Sequence, residues 1–122
     1  MTIRVQFFHD IVYMSKDFLV HLLHIIIVGS LFLYIGIKNV DMPEYLFPGI
    51  AGLGLFIIIY HFYKAFYKKD AWVNYIHIFI IGPLLISIGI LNKSAPRKLF
   101  EIVLMFAFAS IGYHGYYLYQ QF

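Results

Sequence analysis

The stretch HIIIVGSLFLYIGIKN at residues 24–39 is followed by a near copy, HIFIIGPLLISIGILN, at residues 77–92. The two stretches share nine residues in the same order without a gap. Each is long and apolar, and each begins with a histidine. Apolar runs of this length are typical of membrane-spanning helices, so the pair predicts a duplicated transmembrane element.

The duplication extends well beyond these two stretches. A shift of 53 residues aligns residues 16–67 with residues 69–120, and 19 of the 52 aligned positions are identical. Shared Leu and Ile are expected by chance in so apolar a chain, but shared Asp, His, Asn, Pro and Tyr are not. We therefore predict two tandem helical hairpins, residues 16–67 and 69–120, related by a pseudo-two-fold axis along the membrane normal.

Composition supports a membrane protein. The chain has 122 residues, of which 62% are hydrophobic and 12% charged, whereas soluble domains average about 45–50% apolar and about 25% charged residues. A spanning helix needs about 20 apolar residues, and four runs qualify: residues 18–37, 45–63, 71–91 and 99–119. Because the polar breaks between the runs are short, we predict an all-α membrane protein, a four-transmembrane-helix antiparallel bundle. Residues 1–15 form a separate amphipathic N-terminal segment in this interpretation, placed on the membrane surface.

Several repeated residues have structural interpretations. Asp17 and Asp70 are placed as helix N-caps, since each stands where an apolar run begins. Pro43 and Pro96 fix the turns between the helices of each hairpin. The first and third runs each contain two glycines seven residues apart: Gly29 and Gly36, and Gly82 and Gly89. Small residues at such positions let membrane helices approach closely.

One histidine falls in each of the four predicted helices at the same depth. His24, His61, His77 and His114 lie five or six residues from the helix end at one common surface, about 9 Å deep at 1.5 Å per residue. Polar side chains inside a membrane are costly and mark functional sites. The sequence thus predicts a layer of four histidines inside the bundle.

Such a layer has the chemistry of a cofactor site. Imidazole is a common ligand of transition-metal ions, so all four histidines are candidate metal ligands. Alternatively, His61 and His114 are candidate ligands of haem b, with space provided by Gly54 and Ala107, each seven residues earlier on the same helix face. Electron transfer is one use of such a site, and the predicted architecture resembles that of membrane four-helix cytochromes.

Two other functions remain open at this point. The protein is a structural or assembly protein of the membrane without a cofactor, its histidines serving as hydrogen-bonding groups, or it is a proton or ion channel whose histidines titrate. His21 lies one turn before His24, but its counterpart in the second copy is Asn74, which argues against His21 as a ligand. No nucleophile elbow, phosphate loop or HExxH motif is present, so no catalytic residue is predicted and only a redox activity is compatible with an enzyme.

The expected partners follow from composition and charge. The net charge of +3 on an apolar chain does not favour nucleic acid, and the absence of cysteine excludes disulfides and thiolate metal sites. We expect the lipid bilayer as the main partner, with a second copy or another membrane protein as candidates. Both termini fall on the same side, and a small excess of Lys and Arg there favours the cytoplasm.

Overall fold

The computed structural model describes residues 2–67 and 72–120, and within these two stretches the chain is helical and contains no β-strand. Four helical stretches are long and apolar enough to cross a membrane: Asp17–Asp41, Leu46–Ala65, Trp72–Ser94 and Arg97–Gln120. They coincide with the four apolar runs of the sequence. The prediction of an all-helical, multi-pass integral membrane protein is therefore confirmed.

The helices are interrupted at regular places. In chain order they are α1 (Ile3–Leu23), α2 (Gly29–Lys38), α3 (Leu46–Ala65), α4 (Trp72–Ile76), α5 (Gly82–Leu91) and α6 (Arg97–Gln120). A π-helical turn of five residues joins α1 to α2 (His24–Val28), and another joins α4 to α5 (His77–Ile81). A short 3₁₀ turn follows α2 and another follows α5: Asn39–Asp41 and Asn92–Ser94.

The chain divides into two compact units. Unit 1 consists of Met1–Tyr34 and Leu104–Phe122, and unit 2 is the continuous stretch Ile35–Val103. The boundaries cut the first and fourth spans in mid-helix, so the units do not coincide with the hairpins proposed from the repeat. The division of the chain into a segment 1–15 and two hairpins therefore stays a prediction.

Unit 2 is packed around an apolar interior in which small residues bring α3 and α5 together. Its largest fully buried side chains are Ile35, Met42, Phe47, Leu85, Ile88, Phe100 and Val103. A Cβ added at Gly54 would lie 2.7 Å from the carbonyl oxygen of Gly82, and one added at Gly89 would clash with the Cβ of Ala51. Without a hydrophobic force between helices in lipid, such close van der Waals packing is what holds them.

Unit 1 shows the same kind of helix contact. Gly29 is buried, and a Cβ at this position would lie 2.8 Å from Cγ1 of Ile111 on α6. Phe32 and Ala107 are almost fully buried. The buried glycine again allows two helices to approach closely.

The N-terminal region differs from the expectation. α1 begins at Ile3, with Thr2 at its N-cap, and continues without a break into the first span. Asp17 therefore lies inside a helix, and its assignment as an N-cap was wrong, because the residues before it already have helical conformation. Its counterpart Asp70 lies outside the described residues.

The turns after α2 and α5 depend on asparagine. Asn39 and Asn92 are the non-glycine residues with positive φ in the described chain, at 59° and 54°. Asparagine tolerates a positive φ better than most residues other than glycine. In unit 2, the ammonium of Lys93 donates hydrogen bonds to the carbonyl oxygens of Val40 and Met42, which fixes the first of these turns to the second.

Candidate functional site: two histidine pairs

In unit 2, the rings of His61 and His77 stack face to face. Their centroids are 4.0 Å apart and their planes differ by 19°. His61 comes from α3 and is buried, while His77 begins the π-helical turn before α5 and is partly buried. Nδ1 of His61 lies 2.7 Å from Oδ1 of Asn74, which is itself buried on α4. A hydrogen bond and a ring stack therefore join the second span to the third.

In unit 1, His24 and His114 form a similar stack. Their centroids are 4.2 Å apart and their planes differ by 25°. His114 is buried on α6, and its Nδ1 lies 2.9 Å from Nδ1 of His21 on α1. The ring of Tyr117 stacks on His21 at 5.9 Å. A second hydrogen-bonded stack thus joins the first span to the fourth.

The contacts in the two units correspond to one another through the shift of 53 residues. The stack of His24 on His114 corresponds to the stack of His77 on His61. The contact of Gly29 with Ile111 has its counterpart as well, since a Cβ at Gly82 would clash with Cγ1 of Ile58. Each unit therefore contains its own version of one helix contact. We call the two versions the histidine clamps: His21, His24 and His114 in unit 1, and Asn74, His77 and His61 in unit 2.

His21 and Asn74 are the residues that sequence reasoning undervalued. Their difference in identity argued against His21 as a ligand, yet each forms one hydrogen bond with Nδ1 of a partner histidine. Oδ1 of Asn74 accepts from Nδ1 of His61, and Nδ1 of His21 is hydrogen-bonded to Nδ1 of His114. Each stands three residues before the stacked histidine of its own helix, hence on nearly the same helix face. The sequence feature that could have indicated this role is a polar residue three positions before the histidine in both copies.

The π-helical turns place the stacked histidines at fixed positions. Each turn begins at the histidine and closes when the N–H of the glycine five residues later donates to the histidine carbonyl: Gly29 to His24 and Gly82 to His77. Pro83, which follows Gly82, has no N–H to donate, but its counterpart Ser30 is an ordinary residue and the turn still forms. The turn therefore does not depend on proline. Such π-helical turns are common at functional sites.

Backbone hydrogen bonds determine which ring nitrogen of His24 and His77 carries the proton. Nδ1 of His24 lies 2.8 Å from the carbonyl oxygen of Val20, and Nδ1 of His77 lies 2.7 Å from that of Val73. A carbonyl oxygen only accepts, so Nδ1 carries the proton in both rings, and in the neutral ring Nε2 carries the lone pair. The same holds for His61, whose Nδ1 donates to Oδ1 of Asn74.

The rings of a clamp, as they are arranged, do not fit one shared metal ion or a haem between them. A metal ion lies about 2 Å from a ligand nitrogen, in the plane of the ring. Two lone pairs in nearly parallel planes whose ring centroids are about 4 Å apart do not converge on such a point. Within the described residues, no group of three or more His, Cys, Asp or Glu is arranged to hold a metal ion.

The small residues assigned to a haem pocket are also in packed surroundings. The space beside Gly54 is taken by the backbone of Gly82 and the side chain of Ile86. Ala107 is fully buried. Helix packing explains both residues without a macrocycle, and their role in haem binding stays a prediction, as does the single layer of all four histidines.

Comparison with known proteins adds no assignment. No protein family model, no curated protein and no solved structure matches the chain.

Proposed function

We propose that this chain is a structural protein of the membrane, in which the two histidine clamps hold membrane-spanning helices in pairs. One observation carries the proposal. The buried polar side chains of the described chain are His61, Asn74 and His114, and each has a hydrogen-bonding side chain in its own clamp. Polar groups that are satisfied inside the protein act as interhelical links, each worth about 0.6 kcal/mol on average and up to about 1.7 kcal/mol in membranes.

The proposal includes the internal repeat. The two halves are copies of one hairpin, related by a pseudo-two-fold axis along the membrane normal, with their helices antiparallel and both termini on the same side. The support is the correspondence of contacts between the units and of the two π-helical turns. A duplicated hairpin makes the same clamp twice, with His21 in one copy and Asn74 in the other.

The exposed faces of the helices suit lipid and membrane partners. Large apolar side chains are exposed on every span, including Ile37, Phe56, Phe79 and Phe108. A lipid bilayer, a second copy or another membrane protein would cover such faces. The proposed partners therefore lie within the membrane.

A cofactor site is the second candidate function, and the Nδ1 hydrogen bonds favour it. Histidine ligands of metals usually donate the other ring N–H to a carbonyl or carboxylate, as His24, His61 and His77 do here. Haem b or a transition-metal ion would bring redox chemistry to the histidines. This function requires the stacked rings to turn apart, which the structural function does not.

A titration of the full-length protein separates the two candidates. The chain is produced with haem, iron, copper and zinc supplied, and its unfolding midpoint is measured in mixed micelles with and without each of them. A cofactor that binds only the folded state at 100 times its Kd adds about 2.7 kcal/mol. We expect no such stabilisation. A Soret band, or one equivalent of metal lost in the His61→Ala variant, would refute the structural proposal and establish the cofactor site.

A further inference from the structure

The hydrogen bond of the unit 1 clamp joins two ring nitrogens. Nδ1 of His21 on α1 lies 2.9 Å from Nδ1 of His114 on α6. An imidazole nitrogen accepts a hydrogen bond only through its lone pair, so one ring carries the proton at Nδ1 and the other ring does not. The pair can take up one additional proton, at Nε2 of the donor ring, and keep the bond. A second additional proton occupies the accepting lone pair and breaks it.

The corresponding bond of the unit 2 clamp has no such limit. Oδ1 of Asn74 accepts from Nδ1 of His61. A carboxamide does not titrate, and His61 carries a proton at Nδ1 whether its ring is neutral or positively charged. Acid therefore removes the acceptor from the clamp of unit 1 and leaves the acceptor of unit 2 in place.

The ring contacts of the His21–His114 pair bring no negative charge to it. Aromatic side chains of α6 and of the π-helical turn contact the two rings: Tyr113, Tyr117 and His24. Tyrosine is uncharged in the range where histidine titrates, and His24 can only add positive charge. On α1, Asp17 lies one turn before His21, but it is exposed, so salt and water screen its attraction. A second positive charge in the pair is therefore opposed.

We propose that the unit 1 clamp is an acid-sensitive link, which opens when His21 and His114 are both protonated and then releases α1 from α6. This inference rests on the proposed structural function of the clamps. Two positively charged rings at this distance repel each other and share no hydrogen bond. His21 is partly exposed and lies four residues into the first span, so protons reach it from the membrane surface. The unit 2 clamp stays closed at the same pH.

Proton linkage gives the direction and the size of the effect. In acid the unfolded chain protonates both histidines, whereas the closed clamp binds one proton fewer. A difference of one proton raises the unfolding equilibrium constant about tenfold for each unit by which the pH falls. Above the range where histidine titrates, both states hold the same number of protons and the difference vanishes. The stability contributed by the clamp is therefore present in alkali and lost in acid.

Exchange of residues between the two clamps tests the link. Unfolding of the full-length protein in mixed micelles is measured at about pH 8 and about pH 5, the limits of histidine titration, with EDTA present so that no metal ion competes with protons. His21→Asn gives unit 1 the bond of unit 2, and it should reduce the rise of the unfolding constant in acid by about tenfold. Asn74→His should increase this rise by a similar factor. His9→Asn removes an exposed histidine outside the clamps and is the matched control, which should respond to acid as the wild type does.

A double-mutant cycle on His21 and His114 at both pH values separates this inference from the proposed function. We expect coupling at about pH 8 that is lost at about pH 5. Coupling that persists in acid, or an acid response that His21→Asn leaves unchanged, would overturn the acid-sensitive link while the structural function stands. Absence of coupling at both pH values would overturn the two together. His21→Asn decides the test even where Asn74→His does not fold.

Discussion

His21 and Asn74 perform the same task with different chemistry. An imidazole nitrogen in one clamp and a carboxamide oxygen in the other lie 2.9 Å and 2.7 Å from Nδ1 of the partner histidine. The ring of the partner is thereby held in its stack. One turn before the stacked histidine, the clamp requires a side chain that can form a hydrogen bond. This side chain does not have to be a histidine.

Exchange of the two residues tests this equivalence. We expect His21→Asn to keep most of the free energy of unfolding, because Asn74 already performs this role in unit 2. His21→Ala should lower it by about 1 kcal/mol, within the range for interhelical hydrogen bonds in membranes. The measurement is reversible unfolding in mixed micelles, with Leu19→Ala, an exposed position of α1, as the control. Equal losses for His21→Asn and His21→Ala would contradict the equivalence.

Asn39 and Asn92 share a positive φ but differ in the contacts of their side chains. Oδ1 of Asn39 accepts a hydrogen bond from the N–H of Val40, whereas Oδ1 of Asn92 is buried and has no hydrogen-bond partner in the described chain. Glycine adopts positive φ without cost. We expect Asn92→Gly to be neutral or stabilising and Asn39→Gly to be destabilising, with a difference of about 1 kcal/mol in the free energy of unfolding. A larger loss for Asn92→Gly would contradict this account of the turns.

At the scale of the helices, glycine determines how closely α3 and α5 approach. Gly54 faces the backbone of α5, while Gly52 on the same helix has nothing within 4 Å of an added Cβ. We expect Gly54→Ala to destabilise the protein by about 1–3 kcal/mol through overpacking. Gly52→Ala should be neutral or stabilising, since alanine favours the helix by up to about 1 kcal/mol. The same unfolding measurement compares the two variants, and equal effects would show that the helices are not in close contact at Gly54.

The membrane-spanning helices could be predicted from the sequence, but the π-helical turns that interrupt them could not. Runs of about 20 apolar residues predict spans because the thickness of the bilayer sets the length. The π-helical turns at His24 and His77 do not change the hydropathy profile. The one sequence feature common to both turns is a histidine followed five residues later by a glycine. The N-cap at Asp17 failed for a related reason: a cap residue is a local signal, and α1 already extends through it from Ile3.

At the scale of the whole molecule, the sequence predicts a common depth for the four histidines, which stays a prediction, but it does not predict their pairing. Counting residues from the helix ends indicated that the histidines share a level, since the rise per residue is fixed. Which histidine meets which depends on helix rotation and neighbour choice, which the composition of an apolar helix does not specify. Only the structure shows that His24 stacks on His114 and His61 on His77, and which hydrogen bonds set the tautomers of these rings.

The proposed four-span topology predicts that Thr2 and Gln120 lie on one side of the membrane. The chain contains no cysteine, so single cysteines can be introduced freely. We expect Thr2→Cys and Gln120→Cys to react with an impermeant maleimide from one side, and Asp41→Cys and Ser94→Cys from the other. Labelling is measured on sealed vesicles before and after permeabilisation. Reaction of Thr2→Cys and Gln120→Cys from opposite sides would contradict a four-span protein.

The central claim is that the histidines hold helices together, and a double-mutant cycle on His61 and Asn74 tests it most directly. The free energy of unfolding is measured in mixed micelles for the wild type, His61→Ala, Asn74→Ala and the double variant, with the same cycle on His114 and His21. We expect both single variants to be destabilised and the two residues to be coupled by about 0.5–1.5 kcal/mol in each clamp. Coupling near zero in both cycles, with single variants as stable as the wild type, would contradict the account.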